Sequence, residues 1–207
     1  MSYMDIQEAM AIKDGRLLRN HHKNPIYNGV VYDSDEEVMF VMWLEEAEKA
    51  GVIESWLYHC ETYTLSNPVK YNTTKQLKTK VKIEEKHLIN GCEYTPDFKF
   101  IVDKKYFNLF KSFGFKVLND DSEKYVITVD VKGMFDRHGG TREFEVKRKW
   151  LHQTNGIYVH KIVPEKLFKK SFVPDLVRKV FGPKTSRGKN KFRECKSIKE
   201  LEHAEKR

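Results

Sequence analysis

The chain predicts an α/β fold, a mixed central β-sheet flanked by helices, with a helical lead-in before it and a basic tail after it. Three observations carry this. Tyr125–Val131 is nearly all apolar and rich in β-branched residues, as a central strand covered on both faces is. Tyr94–Val102 alternates, and Pro96 sits near its start, where a proline leaves the ladder intact. Phe40, Val41, Trp43, Leu44 and Ala47 recur at helical spacing and form a wide apolar face.

In chain order, Met4 to Leu18 predicts one amphipathic helix, with Ile6, Met10, Leu17 and Leu18 as its apolar side. Arg16–Lys23 is a basic patch in which His21 and His22 suit either a metal or a solvated loop, although adjacent side chains diverge. Ser34 is an N-cap with Glu37 as its capping-box partner, and the helix runs to Ala50, where Gly51 supplies a stop. Trp56–Leu65 reads as the first strand. The Thr-rich stretch over 66–93 carries Lys70, Lys75, Lys78, Lys80 and Lys82, with a short strand at Val81–Ile83.

Residues 103–123 read as an insertion. Tyr106, Phe107, Leu109, Phe110, Phe113 and Phe115 either cover the core or stack on bases. The loop Met134–Gly140 holds His138, which suits a phosphate contact or a mobile loop. Thr141 caps a helix on which Phe144, Lys147 and Leu151 share one side. A lysine there needs an anionic partner. Ile157–Val163 is a closing strand, and Glu165 to Phe181 is helical in two pieces, broken at Pro174. The boundaries are an extension over 1–31, a domain over 32–182 and a basic tail over 183–207.

Lys and Arg total 38 against 30 Asp and Glu, a net charge of +8. That balance suits a polyanionic partner, whose neutralised phosphates release counterions. No apolar run reaches the length of a membrane span, and Met1–Asp5 carries no signal-peptide pattern. Cys60, Cys92 and Cys195 are three, unevenly spaced, which fits a reducing cytoplasm. His59, Cys60, His87 and Cys92 match no standard zinc spacing. No Gly-rich nucleotide loop is present, so ATP use is not expected.

The chemistry-bearing residues are Asp97 after Pro96, and Asp130-Val131-Lys132. Asp130 and Lys132 are two apart and share a strand face. Carboxylates from neighbouring strands hold a hard divalent cation through oxygen, and such an ion polarises a phosphoryl oxygen and acidifies its bound water. The lysine adds a compact positive charge beside the reacting centre. An Asp-x-Lys at a strand end is also common as a solvated edge, and Pro-Asp as a turn.

Four blocks in order resemble the PD-(D/E)XK nuclease superfamily. They are Tyr32–Glu37 running on to Ala50–Ile53, Tyr94–Phe98, Asp130–Gly133, and Phe144–Lys149. The chain is most similar to small phage-encoded, Holliday-junction-resolvase-like endonucleases. The stretch between Asp97 and Asp130 departs from the family and leaves the pairing of the two strands open. The resemblance implies a restriction-endonuclease-like core and a Mg²⁺-dependent endodeoxyribonuclease, with Mn²⁺ substituting. It implies Glu37, Asp97, Asp130 and the Val131 carbonyl as metal ligands, with Glu36 in reserve for Glu37. Lys132 and Lys147 would be catalytic, and the products would carry 5′-phosphate and 3′-hydroxyl ends. Arg148, Lys149, Lys184, Arg187 and Lys189 are expected to meet duplex or branched DNA. A homodimer and a place in an infected bacterium's cytoplasm are further expectations. The competing readings are a nucleic-acid-binding protein without catalysis, or a nuclease subunit of a transposition or packaging complex.

Overall fold

The computed structural model describes residues 12–13, 16–116, 123–134, 140–182 and 191–200. The fold is α/β, with a mixed four-stranded sheet between helices. Helix α1 (Asp35–Lys49) begins where the capping pattern predicts: the Glu37 N–H donates to Ser34 Oγ at 3.2 Å. Gly51 follows it with φ +68°, the left-handed turn that glycine adopts without strain. Every residue from Glu37 to Leu44 is buried. One amphipathic face is therefore not enough cover; other elements close over α1 on several sides.

The central sheet has the order β12-β11-β10-β5. Strands β5 (Ser55–Tyr58) and β11 (Lys124–Val131) both pair antiparallel with β10 (Phe98–Asp103). Strand β12 (Val159–Ile162) lies parallel to β11 and is reached through helix α3 (Gly140–Asn155). The pairing of the two motif strands is thus direct. Phe98 faces Val129 and Phe100 faces Ile127, so the intervening residues leave the register intact.

One face of this sheet packs on α1. Phe40 meets Phe98 edge-on at 5.2 Å, and Trp43 stacks on Phe172 at 5.4 Å. A 3-10 turn and helix α2 (Phe107–Phe113) fill the stretch after β10. Phe107, Phe110, Phe113 and Phe115 are buried in the main core, so these aromatics serve as core and not as base-stacking surface. The other face carries a smaller cluster of Leu65, Tyr94, Phe144, Leu151 and Val159, supplied by α3 and by strands β6 (Tyr63–Ser66) and β9 (Cys92–Tyr94). Helices α4 (Pro164–Lys170) and α5 (Asp175–Val180) follow β12, with Pro174 between them as predicted.

Three boundaries differ from expectation. Residues 12–13 and 16–19 are strands β1 and β2, not helix; the earlier part of the predicted helix lies outside the described residues. With β3 (Pro25–Tyr27) and β4 (Val30–Val31) they make an antiparallel meander. It is tied to α1 by Arg19–Asp35 at 2.8 Å and by Tyr27 Oη donating to Glu45 at 2.6 Å. The predicted first strand is two strands, β5 and β6, because His59 takes φ +44° and turns the chain. The short strand at Val81–Ile83 is the start of a longer strand, β8 (Val81–Ile89), which forms a hairpin with β7 (Val69–Gln76). Part of the basic tail is docked: Phe192 is buried and Arg178 donates to its carbonyl at 3.3 Å. Among the described residues no helix is long and apolar enough to cross a membrane.

Candidate active site

Antiparallel pairing of Phe98 with Val129 puts Asp97 opposite Asp130 one step further on. Period-two alternation then aims both away from α1, because Phe98 and Val129 point toward it. Both carboxylates are buried, Asp130 to 3 % exposure and Asp97 to 9 %. Asp97 Oδ2 accepts the Val131 N–H at 2.6 Å, which locks the two strand ends together. Val131, expected to offer its carbonyl to a metal, contributes this N–H. On its other oxygen Asp97 faces His59 Nε2 at 3.7 Å.

Asp130 Oδ2 accepts from Tyr94 Oη at 2.6 Å. Its Oδ1 is buried without an aligned hydrogen bond and is met by the Lys132 ammonium as an ion pair. Burial, then the Asp97 charge, raises the Asp130 carboxyl above the ordinary carboxylate range, with Lys132 pulling the other way. Burial opposes the charge on Lys132, but Asp130, Asp97 and Glu37 together outweigh it and raise its pKa. A single ammonium thus feels all three acids.

Glu37 comes from α1, on the opposite side of the sheet, and meets the others at the strand ends. Its Oε2 accepts the Asp33 N–H at 3.0 Å and Tyr58 Oη at 2.9 Å, and its Oε1 accepts from Ser34 Oγ at 3.2 Å. Burial and then the Asp97 charge push its pKa up to about 7. Capping partner and site residue are one side chain. Glu36 is only half-buried, so Glu37 is the acid that turns inward.

Carboxylate oxygens facing each other across two strands are the donor type that Mg²⁺ takes. Among the described residues, however, no three His, Cys, Asp or Glu side chains are gathered closely enough to hold a metal as they stand. Glu37 is tied back by three hydrogen bonds, and Lys132 sits on the Asp130 oxygen that a cation would take. The strands bring two carboxylates together, Asp97 and Asp130, while Glu37 is held by Ser34, Tyr58 and the Asp33 N–H. The imagined zinc set does not assemble; its cysteines Cys60 and Cys92 are free, and His87 lies on β8.

The basic residues redistribute. Lys147 pairs with Glu143, one helical turn earlier, at 2.7 Å, so the anion it needed is on its own helix and not in the carboxylate group. Arg148, expected to face solvent or DNA, turns in. It donates to Glu145 at 2.5 Å and its guanidinium stacks 5.3 Å from the Phe144 ring. Helical periodicity picked the right side of α3 but misjudged which residue could snorkel inward. Lys149 is exposed. Lys184, Arg187, Lys189 and His138 lie outside the described residues.

Sequence reading missed Tyr58, Tyr94 and His59, which hold Glu37, Asp130 and Asp97. The available signal was their position: each stands at the end of a strand beside an acidic motif. Burial and the acids they serve raise the pKa of both tyrosines, Tyr58 through Glu37 and Tyr94 through Asp130, so both stay protonated donors. The neighbouring Asp97 raises that of His59. Comparison with protein-family models, characterised proteins and solved structures returns no match.

Proposed function

We propose that this chain is a Mg²⁺-dependent endonuclease that hydrolyses DNA phosphodiester bonds, with a restriction-endonuclease-like core. One observation carries the reading: Asp97 and Asp130 face each other at the open ends of two paired strands, with Lys132 against Asp130 and Glu37 coupled to them through Asp97. Such a group is unfavourable in the metal-free protein, since buried like charges repel and the Asp97 charge helps to lift the carboxyls of Asp130 and Glu37. A divalent cation held by Asp97 and Asp130 would polarise the phosphoryl oxygen and acidify water.

The chain's own residues do the rest. Tyr94 Oη and the Val131 N–H each occupy one carboxylate oxygen and aim the other. Lys132, paired with Asp130, would orient the water or balance the charge developing on phosphate. His59 stands beside Asp97 on the exposed side, where a leaving oxygen or a phosphate would pass. Structure-selective cutting of branched or duplex DNA is preferred to sequence-specific cutting, and a homodimer in a bacterial cytoplasm completes the proposal.

A second reading, a nucleic-acid-binding protein without catalysis, is favoured by the engagement of Glu37 with three partners and the missing three-carboxylate cluster. One experiment separates them. Purified protein is incubated with supercoiled plasmid and with a four-way junction, in Mg²⁺, in Mn²⁺ or in chelator, alongside Asp97→Asn and Lys132→Ala. Metal-dependent nicking that both variants lose supports the nuclease. Binding without cutting, or cutting unaffected by both substitutions, removes it.

A further inference from the structure

The hairpin β7–β8 is a long element with no visible reason to be there. Its two strands pair only with each other. At about 3.4 Å per residue an eight-residue strand reaches about 27 Å. A lone two-stranded hairpin is marginally stable in water, and this one is exposed on both faces: Tyr71, Val81, Ile83 and Leu88 are 46 %, 57 %, 67 % and 66 % exposed.

Its charge is one-sided in sign. From Val69 to Ile89 there are six lysines against Glu84 and Glu85. Lys70 pairs with Glu85 and Lys82 with Glu84, which satisfies both acids and leaves Lys75, Lys78, Lys80 and Lys86 in no ion pair among the described residues. The register sets Lys75 and Lys86 on one face, with Lys82 and Tyr71 as their cross-strand partners. Lys78 and Lys80 stand at the tip, in a turn closed by the Leu77 N–H donating to the Lys80 carbonyl at 2.9 Å.

The base of the hairpin adjoins the acids. Strand β8 leads through Asn90 and Gly91 into β9, whose Tyr94 holds Asp130, and Asp97 follows three residues later. The return is tight: a Cβ on Gly91 would lie 3.2 Å from both Pro68 Cδ and the Ser66 carbonyl oxygen. The neck is thus packed backbone, which gives the arm a fixed root beside the site.

We infer that this hairpin is a DNA-binding arm: a basic two-stranded ribbon, rooted beside Asp97 and Asp130, that lies along duplex DNA and holds the flanking phosphates. A two-stranded β-ribbon is of a size to enter the major groove. Lysines at the tip and along one face match a polyanion and repel a second copy of themselves, which favours DNA over self-association as the occupant. The arm rests on the nuclease reading for its purpose but not for its binding.

The test uses the full chain and a short fluorescent duplex, with Ca²⁺ replacing Mg²⁺ so that binding is read without cutting. Wild type is compared with Lys75→Gln, Lys78→Gln, Lys80→Gln and Lys86→Gln combined, and with the same four positions changed to Arg. Each lysine on a phosphate contributes about 0.9 to the slope of log affinity against log salt, so the Gln set should lower that slope by about 3 to 4 between about 50 and 200 mM salt. The Arg set should keep it. An unchanged slope and affinity in the Gln set overturns the arm. So does a Gln set that converts a dimer to a monomer while binding DNA as before, since the arm then joins two copies. Arm-dependent binding by a protein that never cuts keeps the arm and removes the nuclease; cutting with no arm dependence does the reverse.

Discussion

Replacing Glu37 by Gln should stabilise the protein in alkaline buffer and abolish the proposed metal-dependent cutting. Glu37 is 5 % exposed, and burial with the Asp97 charge lifts its pKa from 4.5 to about 7. The sign follows from proton counting. Below about pH 4 both folded and unfolded chains hold the proton, and the residue has no effect on stability. As pH rises, the unfolded chain ionises first while the folded chain keeps its proton, so stability falls until the folded form ionises near pH 7. Above that the loss is constant. Each pH unit is worth about 1.4 kcal/mol, so the full loss is about 3 kcal/mol, and most of it develops between about pH 5 and pH 8.

Gln avoids this loss with little structural change. The Asp33 N–H and Tyr58 Oη both bond to Oε2, so a Gln carbonyl placed there keeps both. Its NH₂ then faces Ser34 Oγ, which can accept. Denaturant titrations at pH 5 and pH 8 without divalent ions should show the variant gaining about 2–3 kcal/mol on wild type over that interval, or about 2–4 °C in Tm per kcal/mol. The raised Asp130 contributes in both proteins and largely cancels in the difference. Parallel pH profiles, offset by a constant, would refute the claim that Glu37 holds a proton in the folded chain.

Mg²⁺ should raise Tm more at pH 8 than at pH 5, because protonated carboxylates do not ligate; at a hundredfold over Kd the gain is about 2.7 kcal/mol. A Tm indifferent to Mg²⁺ at pH 8 counts against a metal at Asp97 and Asp130. Tyr94→Phe leaves the buried Asp130 carboxylate short of a donor and should cost about 1–3 kcal/mol; denaturant midpoints check it, and an unchanged midpoint would be the wrong result. Trp43→Ala should cost about 3–5 kcal/mol, since Trp43 is fully buried and donates to Ser171 Oγ at 3.1 Å. Trp43→Phe should cost less, and thermal melts that rank the two in the opposite order would place the core's centre elsewhere.

Much of the site was legible because it rests on local rules. Ser34 and Glu37 three apart specify a capped helix start, and the capping geometry itself turns Glu37 inward. The β-branched run ending at Asp130 specifies a buried strand with a polar end. The aromatics after β10 were ambiguous because an apolar ring suits a core or a base equally; only the covering α1 and sheet made them core. The hairpin was read as a short strand because polar Thr- and Lys-rich strands carry no apolar alternation to detect.

Sequence alone determined which residues are acidic, that α1 is a capped helix and β10 and β11 are strands, and that Asp130 and Lys132 belong together. Tertiary structure decided that Asp97 stands opposite Asp130, that Tyr58 holds Glu37 and Tyr94 holds Asp130, and that Lys147 pairs with Glu143. The physical reason is range. Caps and alternation are set within a few residues along the chain, whereas a cross-strand neighbour or an ion-pair partner is chosen by register and by whichever opposite charge burial brings near.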